Sequence, residues 1–275
     1  MKLKGLNSAQ VKDLVSEGVI LLGYRGSVAH GAYTPSYGTS EHDDKDIMGV
    51  AIPPIENYFG LSKQKTRERM ITGSDGVMWD SITYTIEKFV SLLLKGNPNV
   101  LSLLWLPEHL YILATDEGRQ LIDNRDLFIS KNVYRSFAGY AAGQLHRMTH
   151  INTSDLGAKR KELVAEFGYD TKNAGHLIRL LRMGIEFLTD GELYVVREDA
   201  AELIEIKKGE WSKEKILREA DRLFALAQEA FVRSPLPAKP DYERAEALLV
   251  NILSNHWKAG VVDSSMRGVD HERET

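Results

Sequence analysis

A chain of 275 residues with 43% apolar side chains is long enough to bury a substantial core, and it has no cysteine, which excludes disulfide frameworks, thiolate catalysis and cysteine-held zinc or iron–sulfur centres. Its 39 acidic and 35 basic side chains leave a net charge of only −4, so the total charge predicts no general affinity for nucleic acid. The start, MKLKGLNSAQVKDLVSEG, turns polar after two lysines, and no stretch approaches the roughly 20 apolar residues of a membrane helix, so the expectation is a cytoplasmic protein with no membrane contact.

In chain order, Ser8 to Glu17 reads as a short helix with Ser8 as its N-cap and Val11, Leu14 and Val15 on one face. Strand patterns follow at Val19 to Leu22, ending at Gly23, at Ile47 to Ile52, stopped by Pro53 and Pro54, and at Val77 to Tyr84. A helix carrying Ile86, Phe89, Val90, Leu93 and Leu94 stops at Gly96, and Asn97-Pro98-Asn99 is a helix break with Pro98 near the first turn of the next helix. From about Lys131 helical periodicity dominates, over 134–148, 171–191, 212–234 and 242–257, and the one strand pattern left is Tyr194 to Val196. Ser234 to Pro240 reads as a stiff connector between helices, and the polar tail from about 260 to 275 as disordered. The four tryptophans, Trp79, Trp105, Trp211 and Trp257, are too scattered for a stacking platform and read as core. The predicted class is α+β: a small mixed-sheet domain over 1–128, then an all-helical domain over 129–275.

Asp44 and Asp46 alternate at the start of a predicted strand, so their carboxylates share a face and repel unless a cation separates them. Hard oxygen donors of this kind suit Mg²⁺. Asp80, early in the third strand, supplies a third carboxylate if that strand lies beside the second; three convergent aspartates would hold two ions. Upstream, Gly26 and Ser27 follow a strand, where a turn exposes backbone N–H groups and a hydroxyl to phosphate. Alone, a Gly-Ser pair is an ordinary loop and an Asp-x-Asp a solvated turn. Their order and spacing make the pattern.

The stretch GYRGSVAHGAYTPSYGTSEHDDKDIMGV resembles the signature of the polymerase-beta superfamily of nucleotidyltransferases. More narrowly, Gly-Ser with His30-Gly31, Pro35, then Asp-x-Asp with Gly49-Val50 is similar to the RNA repair pathway polymerase-beta family (RlaP-like), as are EKFVSLLLKGNPNVLSLLW and GYDTKNAGHLIRLLRMGIEFL. The likeness spans about Ile20 to Asn255. It implies Gly26 and Ser27 on the nucleotide phosphates, Asp44 and Asp46 as catalytic metal ligands, and Asp80, favoured over nearby Asp75, as the third. Asp43 is read as a bystander, and SYGTSEHD as an insertion-like loop.

In the helical half, Lys172, His176 and Arg179 fall at i, i+4 and i+7, one positive face suited to a triphosphate or nucleic-acid backbone, while Leu177, Leu180 and Leu181 form the core side. Residues 131–182 hold nine Lys or Arg against four acids, a locally basic region where an RNA strand would lie. His146 and His150, at i and i+4, lack an obvious third ligand and read as ordinary side chains. The expectation is a nucleotidyltransferase dependent on Mg²⁺, with two ions and Mn²⁺ as the substitute, moving a nucleoside monophosphate from an NTP, ATP or CTP first, to an acceptor hydroxyl. An RNA 3′ end is the first choice of acceptor. Protein or small-molecule nucleotidylation, and a non-catalytic nucleotide-binding module, are the alternatives.

Overall fold

The computed structural model describes residues 3–34, 43–61, 66–150 and 158–269, with side chains for all of these except 158–160 and 259–269. The chain runs α1 (Ser8–Leu14), β1 (Val19–Arg25), α2 (Gly26–Ala29), β2 (Lys45–Ala51), α3 (Glu56–Phe59), β3 (Arg67–Thr72), β4 (Met78–Thr85), α4 (Ile86–Leu94) and α5 (Pro98–Leu104). It continues through β5 (Tyr111–Ala114), α6 (Asp116–Asp123), α7 (Asn132–Thr149), α8 (Ala158–Phe167), α9 (Thr171–Asp190), α10 (Ala200–Lys207), α11 (Lys213–Arg233) and α12 (Tyr242–Val269).

The strands form one mixed sheet, β3-β4-β2-β1-β5, parallel only between β2 and β4. Alternation divides its side chains between two cores. Leu22, Ile47 and Trp79 face α1 with Leu3, Val11 and Leu14, while Leu21, Met48 and Val50 face the helices. That second core is continuous: Phe89, Leu101 and Trp105 of the sheet half join Phe137, Leu177, Leu181 and Phe187 of the helical half. None of the described helices is long and apolar enough to cross a membrane.

Several local expectations change. The cap of α1 is Asn7, one residue earlier than expected, because Asn7 and Gln10 exchange side-chain and backbone hydrogen bonds in a capping box. The β3 and β5 strands carry no clear alternation and are edges, where only one neighbour selects the side chains. Tyr194 to Val196 pairs in no sheet among the described residues. Trp79, Trp105 and Trp211 are buried, but Trp257 is half-buried, edge-on to Tyr58 at 4.9 Å. The last helix, α12, runs through Val269. Asn97 caps α5 by accepting from the N–H groups of Asn99 and Val100, with Pro98 at the first position.

Candidate active site

Strand register builds an acidic wall. Arg25 stands opposite Asp46 in the antiparallel β1–β2 pair, and Asp46 opposite Asp80 in the parallel β2–β4 pair. All three share the parity of Leu21, Met48 and Ile82, so they emerge on the face toward the helices. Arg25 Nη2 donates to Asp80 Oδ2 at 2.8 Å and lies 3.7 Å from Asp46 Oδ1. One guanidinium thus spans two neighbouring carboxylates. Burial pushes the Asp46 carboxyl up to about 6, against the pull of Arg25 and Lys172 and with the charges of Asp80 and Asp44 adding to the rise. Crowded, half-buried carboxylates of this kind call for a cation.

Gly26, directly after β1, has φ +62°, and a Cβ there would lie 2.2 Å from Asp46 Oδ2, so only glycine lets the turn approach the carboxylate. Asp75 sits elsewhere. It lies in the β3–β4 turn, accepts the Val77 N–H at 3.2 Å and packs against Gly5, leaving Asp80 as the carboxylate beside Asp46. Asp43 is buried and paired with Lys207 of α10, a tie between the two halves of the chain.

Helical periodicity builds the opposite wall. Lys172, His176 and Arg179 occupy successive turns of α9, and together with Gly26, Ser27, Asp44 and Asp46 they line one cavity of about 440 Å³, within the range of small-molecule sites. The inner side of the same turns, Leu177 and Leu181, is fully packed. Arg179 is only 9% exposed, and among the described residues it has no carboxylate partner; its Nη1 donates to His30 Nε2 at 2.7 Å and meets Met183 Sδ at 3.3 Å. Burial and the charge of Arg197 lower its pKa to about 10.

Of a third wall, the sequence reading reached only Arg147, as a member of the basic stretch over 131–182. Asn99 and Ser102 of α5 and Tyr140, Gln144 and Arg147 of α7 complete the cavity. The α7 residues are spaced i, i+4 and i+7, a polar stripe legible in principle beside the apolar Val133, Phe137 and Ala141. Asn97 Nδ2 donates to the Tyr140 hydroxyl at 2.8 Å, fixing that ring at the rim. The basic stretch does not form one surface. Arg147, Lys172 and Arg179 reach the cavity, but Arg182 is turned into Asp199, Glu202 and Glu219. The side chains of Lys159 and Arg160, and the whole of Pro35 and most of the SYGTSEHD loop, lie outside the described residues. His146 and His150 stack on each other at 4.4 Å.

The residues suit Mg²⁺ in kind: carboxylate oxygens on adjacent strands, with Arg25 already balancing the charge between two of them. No set of three or more His, Cys, Asp or Glu side chains among the described residues is gathered into a ready cage. Phosphate oxygens and waters would have to complete the coordination, as Mg²⁺ usually requires.

No curated protein sequence matches the chain. Solved structures similar to it include a nucleotidyltransferase-like protein from Exiguobacterium sibiricum 255-15, 9% identical over 81% of this chain and 71% of that one, with a TM-score of 0.30. Another is the CD-NTase CdnG of Bradyrhizobium diazoefficiens in complex with GTP, 14% identical over 85% of each chain, with a TM-score of 0.21. Likenesses this weak establish neither fold nor function. The sequence itself is decisive: residues 6–251 match the family described as RlaP, the RNA repair pathway DNA polymerase beta family, and the chain belongs to that family of nucleotidyltransferases.

Proposed function

We propose that the protein is a Mg²⁺-dependent nucleotidyltransferase that moves a nucleoside monophosphate from an NTP, ATP or CTP first, to the 3′ hydroxyl of an RNA, releasing pyrophosphate. The observation that carries this reading is the opposition of charge across one cavity, with Asp44 and Asp46 on one wall and Lys172 and the buried Arg179 on the other. A triphosphate has the size and charge to lie between them.

Asp44, Asp46 and Asp80 would hold two Mg²⁺ ions. Bound there, the ions would neutralise the phosphates and stabilise the attacking and leaving oxygens. Gly26 and Ser27 would offer backbone N–H groups and a hydroxyl to the triphosphate. Lys172, His176 and Arg179 would hold its charge from the far side, keeping the α-phosphate facing the aspartates. One of the aspartates would take the proton of the acceptor hydroxyl. Catalysis would then be positioning and charge stabilisation, with no covalent step on the protein. Arg147, at the exposed rim, would meet the acceptor backbone.

The test incubates the protein with each α-phosphate-labelled NTP, Mg²⁺ and tRNA or total RNA, beside an Asp44→Ala/Asp46→Ala control. Label on the RNA 3′ end that depends on the aspartates is the expected result. Label on protein alone would sink the RNA reading, and no aspartate-dependent label on any acceptor would make the chain a binding module.

A further inference from the structure

We infer that His30 is a positioning residue of the nucleotide site, aiming the Arg179 guanidinium at the cavity without cancelling its charge; the inference rests on the nucleotide reading above.

His30 is 6% exposed and closes the short turn that begins at Gly26. Its Nδ1 lies 2.8 Å from the Val195 carbonyl, which only accepts, so Nδ1 carries the hydrogen. Nε2 is then a lone-pair acceptor, and Arg179 Nη1, which only donates, meets it at 2.7 Å. The two bonds select one neutral tautomer, since an imidazolium would turn an N–H against an N–H. The charged or titratable groups acting on the ring are Arg179 and His176 of α9 and Arg197 of the loop beyond it, and none is a carboxylate. The backbone N–H of Arg197 also donates to the His30 carbonyl at 3.3 Å, so the 195–197 segment clasps His30 through both ring and main chain.

Neighbouring arginines show what is unusual. Arg197 is paired with Glu186 and Asp199, and Arg182 with Asp199, Glu202 and Glu219. Buried guanidinium groups ordinarily find such partners. Arg179 alone of the three has a neutral acceptor in that place, which fixes its direction; the carboxylate acting on it, Asp199, does so only through space and is itself bonded to Arg182 and Arg197, so no ion pair turns Arg179 away from a ligand entering the cavity. The ligand class that fits is a polyphosphate.

Binding of magnesium tripolyphosphate and of ATP to the full chain, measured by calorimetry, tests the inference. His30→Phe, which fills the space without an acceptor, should weaken both about 10- to 100-fold, the worth of a hydrogen bond to a charged group. His30→Gln, whose amide oxygen reaches toward the Nε2 position, should recover most of that loss. Combining His30→Phe with Arg179→Met should bind no more weakly than Arg179→Met alone, because His30 acts only through that guanidinium. A merely structural His30 would lower the melting temperature while the two binding losses multiplied, and that multiplication would overturn the inference, as would a folded His30→Phe protein that binds like the wild type. Should His30→Phe not fold, His30→Asn, which keeps a donor for Val195 and loses the acceptor for Arg179, serves the same comparison. A wild type that binds neither probe would bring down the nucleotide reading itself.

Discussion

The two charged walls of the cavity are made by different means and left in different electrostatic states. On the sheet side, register aligns Arg25, Asp46 and Asp80 across three strands, with Arg25 and Asp46 lining the cavity and Asp80 behind them, and the arginine offsets part of the acid charge. On the helix side, the 3.6-residue repeat of α9 brings Lys172, His176 and Arg179 to the cavity, and the most buried of them is held by a neutral imidazole and not by an ion pair among the described residues. The sheet wall keeps a surplus of acid that one arginine only partly offsets, and the helix wall depends on what binds. A negatively charged ligand is therefore drawn to the helix wall, while a cation must displace or share with Arg25 on the sheet wall.

The largest effect expected from breaking this arrangement is at the sheet wall. Asp46→Asn or Asp80→Asn should lower label transfer by on the order of 10³-fold, the scale of losing a charge-stabilising group at a reacting centre. Either variant retaining more than a tenth of the rate would remove that wall from catalysis. Next comes the tie between the halves: Lys207→Met would strand Asp43, whose side chain is 8% exposed, and should cost about 3 kcal/mol in urea unfolding. A loss below half a kcal/mol would mean that the pair is hydrated and ties nothing.

The helix wall predicts a pH dependence. Burial, then the charge of Arg179, holds His30 well below the usual imidazole range, so the folded protein keeps it neutral while the unfolded chain takes up a proton near pH 6.5. Its contribution to stability is thus complete above about pH 6.5 and is progressively lost as pH falls below that, at about 1.4 kcal/mol per pH unit for one group. Urea titrations at stepped pH should show that slope reduced in His30→Gln, and an identical slope would assign the acid sensitivity to other groups. The smallest effect sharpens the acidic wall by contrast. Asp75→Asn, whose amide oxygen still accepts from Val77, should change transfer less than about twofold. A loss like that of Asp80→Asn would mean that the third carboxylate had been misassigned.

What was legible in the chain was whatever repeats along it. The buried runs of β1, β2 and β4 and the polar stripe of α9 each follow a fixed period, and Asp46 lies on that alternation, whereas Asp44 stands just before β2 begins at Lys45. Contacts set by pairing across distant segments were not legible. Arg25 meets Asp80 across 55 residues, His30 meets Arg179 across 149, and Asp43 meets Lys207 across 164. The choice of Asp80 over Asp75 rested on resemblance, and the position of Asp80 beside Asp46 depends on a parallel pairing that no local pattern announces. The edge strands β3 and β5 were missed because a strand with one neighbour and a solvated face has little need of a pattern.

Helix α9 is at once a wall of the cavity and the central strut of the helical half, with Ala174, Leu177, Ile178 and Phe187 at zero exposure behind its cations. The freedom that Lys172, His176 and Arg179 would otherwise surrender to a ligand is in large part surrendered when the core forms, through the backbone that carries them. The affinity of the site for phosphate is in this sense decided during folding, and a substitution deep in the apolar packing of α9 should reach the ligand as surely as one that touches it.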